Sequence, residues 1–208
     1  MSFLASPTRD TLRATILTLI AGIADAVGYI TMGGVFAANM TGNTVLAGIA
    51  AAQRNYTDAW RHLAPLLAFF LGAMLSRLLL RLWHKPNACL LVEAALLAVV
   101  GFLPISRESA VLILAVAMGV QASAITHFSG NAVSTVVVTS TLARTADTVL
   151  DRLWPGEKNP LPVVANLPLL ALTWVGYLAG ALAGALLLLA MPYPLLVPVA
   201  LLGLLLFL

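Results

Sequence analysis

Charge is what this chain has least of. Only 9% of its 208 residues are Asp, Glu, Lys or Arg, against roughly 25% in an ordinary soluble domain. With 61% of residues hydrophobic, the composition excludes a soluble globular protein and leaves one solvated by the lipid bilayer. A single cysteine, Cys89 beside an apolar run, excludes an intrachain disulfide. Three scattered histidines give no ligand spacing for a metal. Glycine patterns of phosphate or dinucleotide loops are missing, as is a Gly-x-Ser-x-Gly elbow, so no cofactor is implied. The positive excess is small, 11 Lys and Arg against 8 Asp and Glu, and it falls at span ends, where it signals topology rather than nucleic-acid binding.

What is present is a succession of apolar runs. The first, near 11–33, follows Arg9 and Arg13. Ala24-Asp25-Ala26 faintly resembles a signal-peptidase site, but the run continues past it and more spans follow, so it reads as an uncleaved signal-anchor. Further spans are expected near 62–83, 88–103, 109–128, 163–190 and 195–208, the last of them short for a hydrocarbon core of about 30 Å. The segment from Arg144 to Pro162 reads as a charged, solvated and amphipathic loop.

Two stretches break the pattern. Gly33 to Thr44, which leads into an interruption at 34–53, holds Asn39, Thr41, Gly42, Asn43 and Thr44; a second interruption at 129–143 holds Ser129, Asn131, Ser134, Thr135, Thr139 and Thr141. At bilayer depth, non-helical backbone persists only where protein or a water-filled cavity satisfies its N–H and C=O groups. Broken or re-entrant helices that line a site are therefore expected in both.

A shift of 96 positions sets Asp25-Ala26 on Gln121-Ala122 and Gly34 on Gly130, and two more residues set Thr41-Gly-Asn43 on Thr139-Ser-Thr141. The chain thus divides into two internal repeats, 1–105 and 106–208, within one membrane domain. Such repeats build many secondary transporters, whose sites form between corresponding interrupted helices. The expected fold is all-α and polytopic, with about six transmembrane helices plus two broken or re-entrant segments. Re-entrant interruptions would make the repeats inverted, spanning ones parallel. Either way the basic residues divide 8 to 3 in favour of the N-terminal side, which places the N-terminus in the cytoplasm and leaves the choice open.

Gly22-Ile-Ala-Asp25-Ala26-Val-Gly28-Tyr29, then Gly33-Gly34-Val-Phe36-Ala-Ala-Asn39-Met-Thr41-Gly42-Asn43-Thr44, resembles the YoaK family of bacterial inner-membrane proteins, and Met118-Gly119-Val-Gln121-Ala122 continues the likeness. Ser140 stands where the family's glycine is expected. The resemblance implies a multi-pass protein of the bacterial inner membrane with about six spans and supplies no biochemical function.

Asp25 is the sharpest candidate. A carboxylate at mid-span is disfavoured by about 2.5 to 3.5 kcal/mol on insertion scales, so it should face a polar interior, binding a cation or carrying a proton; the alternative is an Asp hydrogen-bonded to a neighbouring helix. Glu93 is a second candidate for coupling, or else is satisfied by a partner such as Arg77. Asn39, Thr41, Asn43 and Thr44 offer neutral donors and acceptors, and Gly42 permits close backbone approach and a positive φ. They coordinate a small polar solute or ion, or else serve capping and helix–helix bonding. Gln121, Ser129, Asn131, Thr135, Thr139 and Thr141 are the counterpart set. Gly176, Gly180 and Gly184, four residues apart, form a packing face within the monomer or across a homodimer.

These features point to a small secondary transporter or channel-like permease for a small polar solute, coupled to a proton or cation through Asp25, and not to an enzyme. Two other classes stay open: a membrane enzyme acting on a lipid or small hydrophobic substrate with Asp25 and Glu93 as acid and base, and a non-catalytic scaffold subunit.

Overall fold

The computed structural model describes residues 9–124, 127–128, 131–132, 138–153 and 167–207. Among them lie eight helices: α1 (Arg9–Thr31), α2 (Met40–Ala52), α3 (Tyr56–Trp83), α4 (Pro86–Phe102), α5 (Arg107–Ala124), α6 (Val138–Leu153), α7 (Leu167–Ala190) and α8 (Leu196–Leu205). Two-residue strands, β1 (His127–Phe128) and β2 (Asn131–Ala132), pair antiparallel between α5 and α6. By length and composition α1, α3, α5 and α7 can each cross a membrane; α2, α4 and α8 are shorter apolar helices.

Local chemistry sets the boundaries. α1 stops at Gly33, whose φ of +80° is the left-handed conformation that glycine adopts without penalty. The Gly34 N–H then returns to the Tyr29 carbonyl at 3.0 Å, the six-to-one bond of a Schellman ending. α3 begins six residues earlier than the apolar pattern suggests, because Asn55 caps it by accepting from the Asp58 N–H at 3.1 Å. Pro65 is accommodated inside it. The segment from Arg144 onward, expected as a loop, is helical as far as Leu153: its apolar residues recur at helical spacing, which the charges between them obscure.

Glycines fix the helix pairs. A Cβ on Gly22 would strike the Tyr177 carbonyl, and one on Gly180 the Leu19 carbonyl, while Gly176 faces Thr15 and Thr18 and Gly184 faces Ile23. The three glycines of α7 therefore face α1 within the same chain. Because positions rise together along both helices, α1 and α7 run parallel. α3 and α5 meet in the same way: Gly72 abuts Val116, Gly119 abuts Phe69 and Ala73, and Thr57 to Ala64 share a cavity wall with Arg107 to Leu112. They too run parallel, a pairing that the sequence reading missed although Gly72 and Gly119 lie in plain view.

Met32 and Gly33 line that same cavity, so α1 ends at the end of the bundle where α3 and α5 begin. α1 and α5 are thus antiparallel, crossing where the Gln121 amide donates to the Leu17 carbonyl at 2.9 Å. Two consequences follow. The chain from 32 to 55 leaves and returns at one end, so α2 dips into the bundle and does not cross it. The chain from 125 to 166, which carries α6, likewise starts and finishes at the opposite end. α4 packs against α5, and its end meets the start of α8 through Phe102 and Tyr193, 6.1 Å apart.

Candidate functional site

The loop before α2 reaches down to the middle of α1 and is tied there. Asp25, 3% exposed, accepts the Ala38 N–H at 2.5 Å and the Asn39 N–H at 3.3 Å through Oδ1. Its Oδ2 takes the phenol of Tyr177 from α7. The two N–H groups can only donate, so a carboxyl proton, when present, resides on Oδ2 and is shared with that phenol. Asp25 thereby faces donors on three sides, which is how a buried carboxylate is tolerated.

The next polar residues are largely committed to structure. Asn43, fully buried, exchanges two bonds with the Phe36 backbone, accepting its N–H at 3.0 Å and donating to its carbonyl at 2.8 Å. Asn39 is the cap of α2, its Oδ1 accepting from the Gly42 N–H at 3.0 Å. Thr44 donates to the Met40 carbonyl. Gly42 is helical rather than at positive φ; a Cβ there would crowd the Phe36 ring and the Asn39 amide at 3.0 Å. Of the readings for this stretch, capping and loop fixation describe Asn43, Thr44 and the Oδ1 of Asn39, while Asn39, Thr41 and Gly42 also border open space.

That space is a cavity of about 660 Å³. Its described wall includes Asn39, Thr41 and Gly42 from the first interruption, Thr139 at the start of α6, Phe69 of α3, and Tyr29 and Phe36, whose rings stack with centroids 4.7 Å apart. Tyr177 completes it beside Asp25. The structure thus brings Asp25, Asn39, Thr41 and Thr139 to one place. Ser129, Thr135 and the side chain of Asn131 lie outside the described residues, and Thr141 is buried in α6. Gln121 bonds to α1 and is not among the lining residues. Tyr177, Tyr29, Phe36 and Phe69 were missed. A tyrosine deep in a long apolar helix, away from the interfacial belts where tyrosine concentrates, was the signal for Tyr177, and it was masked by the neighbouring glycines.

Glu93 stands apart. It lies near the middle of α4, fully buried, with no hydrogen-bond partner among the described residues for either carboxyl oxygen. The alternative of a pairing with Arg77 is not realised, because Arg77 lines a different, outward groove with Arg81. Among the described residues no three His, Cys, Asp or Glu side chains gather as metal ligands would.

Four long apolar helices, packed in parallel pairs through glycine, define a multi-pass helical membrane protein. Residues 13–208 match the family model described as a protein of unknown function, DUF1275, and the chain belongs to that family. It is similar to the UPF0700 transmembrane protein YoaK of Bacillus subtilis (strain 168), at 31% identity over 88% of this chain and 85% of that protein. It is also similar to the UPF0700 transmembrane protein RA0705 of Rhizobium meliloti (strain 1021), at 30% identity over 82% of this chain and 72% of that one. No solved structure matches it.

Proposed function

We propose that this protein is a small secondary permease of the bacterial inner membrane, with its N-terminus in the cytoplasm, that binds a small polar solute in the cavity beside Asp25. The observation that carries this reading is the meeting of Asn39 and Thr41 with Thr139 around one cavity, next to the Tyr177–Asp25 bond. A transporter built from inverted repeats would place interrupted segments of both halves at a common interior site.

The helix arrangement supports inverted repeats. α1 matches α5 and runs against it, and each packs lengthwise on the third helix of the other half, α1 on α7 and α5 on α3. Moving bodies on this reading are α1 with α7 and α3 with α5, and the cavity wall draws on both. α2 leans on α3 and α6 on α7, so a tilt of one body against the other would open the cavity first to one face and then to the opposite one. The acid–base enzyme alternative is disfavoured because Glu93, unlike Asp25, has no hydrogen bond to a residue of the cavity wall among the described residues.

The test is solute uptake in proteoliposomes across a pH gradient. Asp25→Asn is expected to abolish the pH dependence of uptake while the protein stays folded; an unchanged pH response would refute coupling through Asp25. Impermeant labelling of Thr57→Cys and His84→Cys from outside tests the topology: position 57 should react and position 84 should not.

A further inference from the structure

We propose that the cavity selects a small organic cation of the alkylammonium type and exchanges it for a proton, an inference that rests on the permease reading. Four aromatic rings, those of Tyr29, Phe36, Phe69 and Tyr177, enter its wall from α1, the descending loop, α3 and α7. Rings surrounding a site are how ammonium groups are recognised, because each π-face carries partial negative charge. None of the described lining residues is Lys, Arg or His. One carboxyl, that of Asp25, sits directly behind the wall and is joined to it through the Tyr177 phenol.

An anion fits poorly. The N-terminus of α2 points into the cavity and would ordinarily attract negative charge, but most of the N–H donors around it are taken. Asp25 holds the Ala38 and Asn39 N–H groups, and the Asn39 side chain holds that of Gly42. An incoming anion would meet the Asp25 charge with no cationic side chain from the described wall to offset it. A neutral solute would have Asn39, Thr41 and Thr139 to bond, yet would gain nothing from the rings' quadrupoles or from a carboxylate acting across a low-dielectric interior. A cation draws on both.

The geometry at Asp25 also gives the coupling. A proton can be added only at Oδ2, since Oδ1 is occupied by two N–H donors. Protonation cancels the charge that draws the cation, so proton and cation compete for one carboxylate. Binding of one expels the other, and the cycle is an exchange rather than a co-transport. Atoms balance: an ammonium ion arrives as a proton leaves, with no bond made beyond the carboxyl O–H.

The experiment is calorimetric titration of the purified full chain with tetramethylammonium and choline, each set against an uncharged carbon isostere (neopentane-like alcohols such as 3,3-dimethylbutan-1-ol for choline). At least one ammonium ion should bind about tenfold or more tightly than its isostere, with proton release read from buffers of different ionisation enthalpy. Phe36→Leu should weaken that binding about tenfold, while Phe36→Tyr keeps it and certifies that the loop still folds. Asp25→Asn should remove the proton release. Equal binding of ion and isostere, no binding by either ammonium ion, or an unaffected Phe36→Leu variant would each overturn the cation assignment. Uptake of uncharged solutes without ammonium binding would overturn this proposal and leave the permease standing. Ammonium binding without any flux would overturn the permease and the exchange with it, leaving only a cation-binding cavity.

Discussion

The segments carrying α2 and α6 take corresponding places in the bundle, yet they are built from opposite materials. α2 reads Met-Thr-Gly-Asn-Thr-Val-Leu-Ala-Gly-Ile-Ala-Ala-Ala and has no charged residue, whereas α6 carries Arg144, Asp147, Asp151 and Arg152. The loop ahead of α2 is riveted by Asp25 and by both bonds of Asn43. α6 presents Thr139 to the cavity and, about 12 Å further along at 1.5 Å per residue, an exposed Asp147. The difference teaches that the two segments are held by different means: the first by side chains buried around its own loop, the second by the packing of α6 on α7.

The comparison breaks most visibly at Asp25. Asp25→Ala would strand the Ala38 and Asn39 N–H groups, at about 1 to 3 kcal/mol per buried donor. The expected result is a loss on the order of 4 kcal/mol in folding stability, read as a large drop in thermal midpoint in detergent; a loss within 1 kcal/mol, roughly a single ordinary hydrogen bond, would mean that the loop is not held there. Asn43→Ala comes next, removing both bonds to Phe36, with about 2 to 3 kcal/mol expected. Hydrogen exchange at 36–43 should accelerate in this variant while α6 is unchanged. Tyr177→Phe deletes one donor to Asp25 and should destabilise by about 1 kcal/mol, with a clear shift in the pH dependence of uptake as its functional mark. Thr139→Val, at the start of α6, should lie within about 0.5 kcal/mol of wild type; a larger loss would show that the Thr139 hydroxyl itself holds α6 in place.

Much of this was legible beforehand because membrane folding leaves strong traces in sequence. Long apolar runs gave α1, α3, α5 and α7, and in the Gly/Asn/Thr stretch the backbone leaves the helix only ahead of Met40, Thr41 to Thr44 being the first turn of α2. Asp25 was recognisable as a residue needing a reason. Its partners were not, because an N–H donor carries no sequence signature and Tyr177 lies 152 positions away. Asn43 looked like a ligand and is a strut: an amide fits a solute and a peptide group equally well. Whether the first interruption dips or crosses was invisible to charge counting, and it became readable only from helix directions fixed by Gly22, Gly72, Gly119 and Gly180. Glu93 remains without a structural explanation for its burial, since nothing among the described residues satisfies its oxygens.

The lengthwise pairing of α1 with α7 and of α3 with α5 carries a consequence for assembly. Neither half of the chain contains the helix on which its own first helix packs, so the contact at Gly119 waits for α5 of the second half and that at Gly180 waits for α7, almost the end of synthesis. A ribosome that has released only α1 to α4 leaves two small-residue grooves open to lipid. The protein therefore completes its core late, and fragments 1–105 and 106–208, produced separately, should be stable in the membrane only as each other's complement.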